Sequence, residues 1–235
     1  MTSWLKSPER GLQAVHLPLG HADYAATYRL QQHLHGLRSR DDIADSILTV
    51  EHDPVLTIGR SGSRESILVP QEVLTREGIS VFEVDRGGDI TYHGPGQLVV
   101  YPIVDLREQG RDLRRYIRNL EQSVIDLLAD LEVDAVRRPG FPGVWVGSRK
   151  IASIGVHVRN WVTRHGIALN VDVDRFHFGM IRPCGLEIEI VSLNELTPKS
   201  FAISDLIEPH LAQLSRLFGW EVRVEDPRRH WEACR

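Results

Sequence analysis

A chain of 235 residues, 42% hydrophobic and 26% charged, has the size of one large domain and the composition of an ordinary globular protein. Its net charge of −4 gives no global argument for binding nucleic acid or a membrane surface, and neither partner is expected. Two cysteines, Cys184 and Cys234, cannot build the disulfide framework of a small secreted protein. Met1 to Gly20 has no apolar core of signal-peptide length, and the longest apolar run, Leu98 to Val104, is too short to span a bilayer. The expectation is a cytoplasmic protein folded as a single domain over residues 1–235.

In chain order, the first predicted element is a helix from about Ala22 to Leu37. Ile47 to Ile58 reads as strand, broken by the turn-like Asp53-Pro54. A glycine-dense stretch, Arg86 to Gln97, runs into the apolar strand Leu98-Val99-Val100-Tyr101. Apolar residues from Leu113 to Leu131 recur at steps of three and four, one face of an amphipathic helix over about 112–131. Ala152 to Val158 and Ile167 to Val173 alternate apolar with polar or small residues, predicting an antiparallel pair joined by 159–165. A last helix is expected from Ser204, as N-cap, to Phe218, stopped by Gly219, with Leu206, Ile207, Leu211, Leu214 and Phe218 buried. Strands adjacent in sequence with helices gathered elsewhere argue α+β rather than a doubly wound sheet.

The chemistry-bearing residues fall in three places. Glycines as dense as those of Arg86-Gly87-Gly88-Asp89-Ile90-Thr91-Tyr92-His93-Gly94-Pro95-Gly96-Gln97 let backbone pass close to another group, either a ligand or a packed chain. Gly87, Gly88, Gly94 and Gly96 are expected to tolerate little bulk, and His93 either donates to a ligand or braces the loop. Cys184, between Pro183 and Gly185, suits an exposed loop, although a lone cysteine is commonly a small buried hydrophobe. A reactive thiol needs a nearby cation, and Lys150 in Arg149-Lys150-Ile151-Ala152-Ser153-Ile154-Gly155 is the candidate, although most lysines simply face water.

The three motifs together, in this order, resemble the lipoyl(octanoyl) transferase family over about residues 48–186. The resemblance implies an α+β fold like the catalytic domain of biotin and lipoate ligases, with a mixed, largely antiparallel sheet and packed helices. It implies Cys184 as the acyl-thioester nucleophile and Lys150 as the residue that lowers its pKa. Its ligand-binding segments fall on Arg86, Gly87, Gly88, Asp89, Ile90, Thr91, Tyr92 and His93, on Ser153, Ile154 and Gly155, and on Gly166, Ile167 and Ala168. It further implies octanoyl-acyl carrier protein as donor, and as acceptors the lipoyl domains of 2-oxoacid dehydrogenase complexes and the glycine cleavage H protein. No cofactor and no metal is called for. Arg182 stands where Asn is frequent in the family, and Ala152 is a second small departure; neither removes a group that the chemistry needs.

Two rival readings come from other classes. An ATP-dependent lipoate or biotin ligase shares the glycine-rich loop, but lipoate ligases follow the histidine with Gly-Asn, where this chain has Gly94-Pro95-Gly96-Gln97. A non-catalytic acyl-binding module would need neither Cys184 nor Lys150. The eleven histidines are dispersed and make a poor case for a metal protein. An acidic carrier needs local positive surface, for which Arg111, Arg114, Arg115 and Arg118 on the long helix, or Arg137, Arg138 and Arg149, are the candidates.

Overall fold

The computed structural model describes residues 12–183 and 188–232. In chain order they form β1 (Leu12–Ala22), α1 (Tyr24–Ser39), β2 (Asp45–His52), β3 (Val55–Ile58), α2 (Gln71–Arg76), β4 (Ser80–Glu83), β5 (Ile90–His93), β6 (Gln97–Ile103), α3 (Leu113–Asp130), β7 (Val136–Arg138), β8 (Phe141–Val146), β9 (Arg149–Arg159), β10 (Val162–Asn170), α4 (Arg175–Phe178), α5 (Ile203–Phe218), β11 (Trp220–Val224) and α6 (Arg228–Glu232). The large sheet has the order β11-β1-β2-β6-β10-β9-β8-β7, and a small sheet has the order β4-β3-β5. The two pairings of β1, with β2 and with β11, are parallel, and the rest of the large sheet is antiparallel. This is the expected mixed, largely antiparallel α+β arrangement.

Local signals account for most element ends. Asp23 accepts from the Ala26 amide and Asp112 from the Arg115 amide, satisfying first-turn donors of α1 and α3. Gly219, at φ 71°, closes α5 in the left-handed conformation. The N-terminus of α5 departs from expectation. Ser204 lies inside the helix, and it is Asp205 that reaches back to the Ala202 amide at 2.9 Å. The strands β9 and β10 also meet through a shorter turn than 159–165. Asn160 (φ 54°) and Trp161 (φ 65°) form a two-residue turn whose twist matches the flanking strands. The Asp53-Pro54 break hands the chain from the large sheet to the small one. β1 went unforeseen because it holds Pro18 and Gly20; Pro18 is tolerated because β11 pairs with β1 only from Leu12 to His16.

Period-two alternation assigns the two faces of the sheet. Leu98, Val100, Ile167 and Leu169 join Tyr116, Leu120 and Val124 of α3 and Leu206, Leu211 and Leu214 of α5 in one core cluster. Val99, Tyr101, Ile103 and Ala168 point the other way, against Leu30 and Leu34 of α1. The small sheet and α2 make a third cluster around Leu56, Ile90 and Tyr92.

His210 is buried between α5 and α3, with Nε2 2.9 Å from Ser123 Oγ and Nδ1 without a partner among the described residues. Burial pushes its pKa down to about 4, and the same cause holds His52 near 4 and His93 near 3. The unfolded chain takes up these protons near pH 6.5 and the folded chain does not. Stability is therefore complete above pH 6.5 and falls as pH drops toward 4, by roughly 3 kcal/mol for a shift of this size. Thermal melts of His210→Leu should show a shallower loss of Tm between pH 6.5 and 4 than the parent.

Candidate active site

The signature loop leaves the small sheet after β4 and is fastened on both sides. The Gly59, Arg60 and Ser61 amides donate to the Asp89, Arg86 and Gly88 carbonyls at 3.0–3.2 Å, and the Gly87 amide donates to Val156 O at 2.9 Å. Arg86 is buried and donates to Thr57 O (2.6 Å), Thr57 Oγ1 (3.0 and 3.2 Å) and Gly87 O (3.0 Å). Among the described residues no carboxylate lies within ion-pair distance of it, and burial lowers its pKa. Gly88 (φ +85°) and Gly96 (φ +81°) sit in backbone conformations that L side chains rarely adopt, and a Cβ on Gly96 would collide with Asp172 O. A Cβ on Gly94 would strike the Tyr92 ring. Gly87 departs from expectation, since its nearest neighbour, Val156 O, would lie at an ordinary 3.5 Å.

Asp85, immediately before the loop, gathers side chains from α1, β9 and β10, His157 Nε2 of β9 lying 3.6 Å from its carboxylate. It accepts from Arg164, from Tyr28 Oη at 3.2 Å and bonds His165 Nε2 at 3.0 Å. Burial alone would raise its pKa, but the His165 hydrogen bond and the Arg164 charge hold it well below the usual carboxylate range. His165 is buried at φ 58°, an uncommon conformation for a non-glycine residue that this clamp holds.

Between the loop and the sheet lies a cavity of about 360 Å³, within the range of small-molecule sites. Its wall includes Arg86 to Thr91, His93, Ser153 to Gly155, Gly166 to Ala168 and Lys150. Tyr101 and Ala168 place it on the α1 side of the sheet. Tyr92 does not line it: its side chain is buried in the small-sheet cluster and its hydroxyl lies 2.9 Å from His177 Nδ1. Because β5 alternates, His93 and Tyr92 must face opposite ways. Tyr101, Phe141 and His165 also line the cavity and were not foreseen. Their faces depend on which strands become neighbours, a fact that no local motif carries.

Lys150 stands half-buried at the start of β9, its Nζ 5.1 Å from the centre of the Trp145 ring. Its amide donates to Glu189 O at 2.8 Å and its carbonyl accepts from Val191 N at 3.0 Å. The segment after the Cys184 motif is thereby held along β9. Cys184 lies outside the described residues, as does Cys234. Pro183 and Ile188, on either side of 184–187, both line the cavity with Lys150.

The sequence from 23 to 215 matches the model of the lipoyl protein ligase A/B catalytic domain. An octanoyltransferase of Solibacter usitatus is 46% identical over 204 residues, covering 87% of this chain and 92% of its own. One of Syntrophobacter fumaroxidans is 44% identical over 215 residues, covering 90% and 94%. The chain belongs to the octanoyltransferases of this family. Solved structures agree on the fold. A putative lipoate protein ligase from T. acidophilum with bound lipoic acid superposes at TM-score 0.74 and 16% identity, covering 94% of this chain and 92% of that one. The biotin protein ligase of Aquifex aeolicus in complex with biotin and ATP does so at 0.52 and 14%, covering 88% and 70%.

The two groups of candidate arginines meet where Arg137 donates to Arg118 O at 2.8 Å. Arg114, Arg115 and Arg118 are exposed on α3, which packs on the sheet face away from the cavity. Arg137 is bonded to Glu121 and Gln122. Arg138 stacks over Trp145 and Phe141, at 4.6 and 5.7 Å, beside the cavity wall that Phe141 forms. Among the described residues no group of three or more His, Cys, Asp or Glu could hold a metal ion, and no helix is long and apolar enough to cross a membrane.

Proposed function

We propose that this chain is a single acyltransferase domain that moves an octanoyl group from octanoyl-acyl carrier protein to a specific lysine of a lipoyl domain, through a thioester on Cys184. The observation that carries the reading is the convergence on one cavity of Lys150, the glycine loop and both described flanks of the Cys184 segment. The octanoyltransferase relatives support the acyl group transferred.

In the first step the Cys184 thiolate attacks the carrier-bound thioester; the new C–S bond forms as the carrier's C–S bond breaks, and the carrier leaves as a thiol with the proton of the Lys150 ammonium. In the second the amine of the incoming lysine attacks, the amide forms, Cys184 departs as thiolate, and the amine's proton passes to a base. Lys150, unprotonated at that moment, is the base we assign. The first exchange is nearly isoenergetic and the second runs downhill, so no nucleotide is needed. The acceptors in this reading are lipoyl domains of 2-oxoacid dehydrogenase complexes and the glycine cleavage H protein, and the setting is the cytoplasm. The test is transfer from octanoyl-carrier protein with ATP removed and magnesium chelated, followed by intact-protein mass. Octanoylated enzyme and octanoylated acceptor are expected, and free octanoate with ATP should give little product. Strict dependence on ATP would replace this reading with the ligase one.

A further inference from the structure

Gln97, 1% exposed, ties β5 of the signature stretch to β10, and backbone carbonyls decide which way its atoms face. The Val191 carbonyl only accepts, so Asn170 turns Nδ2 toward it at 3.3 Å and leaves Oδ1 for Gln97. Gln97 therefore offers Nε2 to Asn170 Oδ1 at 3.0 Å, and the same nitrogen faces the Tyr92 carbonyl at 3.4 Å. Its Oε1 is left facing His93 Nδ1 at 2.7 Å. An amide oxygen only accepts, so His93 carries its proton on Nδ1. The other ring nitrogen, Nε2, has no hydrogen-bond partner among the described residues, and His93 lines the cavity.

We propose that Gln97 is a positioning residue for the transfer proposed above: it locks His93 in the Nδ1–H tautomer, so that the nitrogen presented to the cavity is an acceptor. A thioester carbonyl has only lone pairs and gains nothing from such a group. The incoming lysine amine does gain. One N–H given to Nε2 leaves its lone pair free to aim at the thioester carbon, so the effect falls on the second step. His93 orients the amine and does not deprotonate it. Tyr24 from α1 and His52 from β2 pack on the ring at 6.2 Å each, with Arg86 and His165 facing it from the loop and β10. Burial first, together with the Arg86 charge, keeps the imidazole neutral.

Gln97→Glu discriminates. A buried Glu–His pair that keeps one proton beyond the imidazole's own holds two, and either the carboxylic acid donates to Nδ1 while the ring proton sits on Nε2, or the carboxylate faces an imidazolium. Both place a proton on Nε2. Only loss of that proton at higher pH restores the acceptor. In the parent, ring 15N shifts of His93 should show a protonated Nδ1 and an unprotonated Nε2 from pH 5 to 9; this readout needs neither variant nor activity. In Gln97→Glu, acylation by octanoyl-carrier protein should not slow, because a thioester carbonyl can accept from a proton on Nε2. Transfer to the lipoyl domain should slow by about tenfold or more at neutral pH and recover as pH rises. A proton on Nε2 in the parent, an unchanged pH profile in the variant, or equal slowing of both steps would overturn the role. Failure of the parent to acylate at all would instead overturn the proposed function.

Discussion

Replacing Cys184 with alanine is expected to remove octanoyl transfer altogether, a fall of roughly three orders of magnitude or more. The reason is covalent: without the thiol there is no atom to hold the acyl group between carrier and acceptor. Peptide mass spectrometry of the parent after incubation with octanoyl-carrier protein should place a hydroxylamine-labile adduct on Cys184. Cys234→Ala should keep both adduct and transfer. Full transfer by Cys184→Ala would exclude the thioester route and leave a direct reaction between donor and acceptor in the cavity.

Lys150→Ala should slow alkylation of Cys184 at pH 7 by about tenfold and raise the pH midpoint by about one unit. An unperturbed thiol, with a pKa near 8.5, is only a few per cent ionised at pH 7. A neighbouring ammonium favours the thiolate and so raises the reactive fraction. Lys150 lines the same cavity as Pro183 and Ile188, and its backbone is hydrogen-bonded to Glu189 and Val191. Lys150→Arg separates two roles of the residue. A guanidinium retains the charge and should restore much of the alkylation rate, yet it does not give up its proton at working pH. Transfer to the lipoyl domain should therefore stay slow in Lys150→Arg while acylation recovers. An alkylation profile that Lys150→Ala leaves unmoved would assign the lysine a purely structural place against Trp145.

What the sequence determined by itself is local. Hydrophobic periodicity set α3, α5 and the β9–β10 pair, because a helix or strand shows its buried stripe at a fixed spacing. Asp53-Pro54 and Gly219 marked a strand break and a helix end, since proline lacks an N–H and glycine accepts positive φ. The three motifs carried the family, and of the residues they singled out all but Tyr92 among the described ones line the cavity. Tertiary structure decided the rest. Alternation told which residues of a strand share a face, but not that Tyr101, on the α1 face, would become cavity wall. β1, with Pro18 and Gly20 in its midst, became a strand because β2 and β11 pair with it. The arginines of α3 ended on the face opposite the cavity, which their spacing along the helix could not foretell. Gln97 reaches Asn170 across 73 positions of sequence, and Arg164 and His165 reach Asp85 across 79 and 80. Such contacts exist only once distant strands have paired, which is why a local reading does not show them.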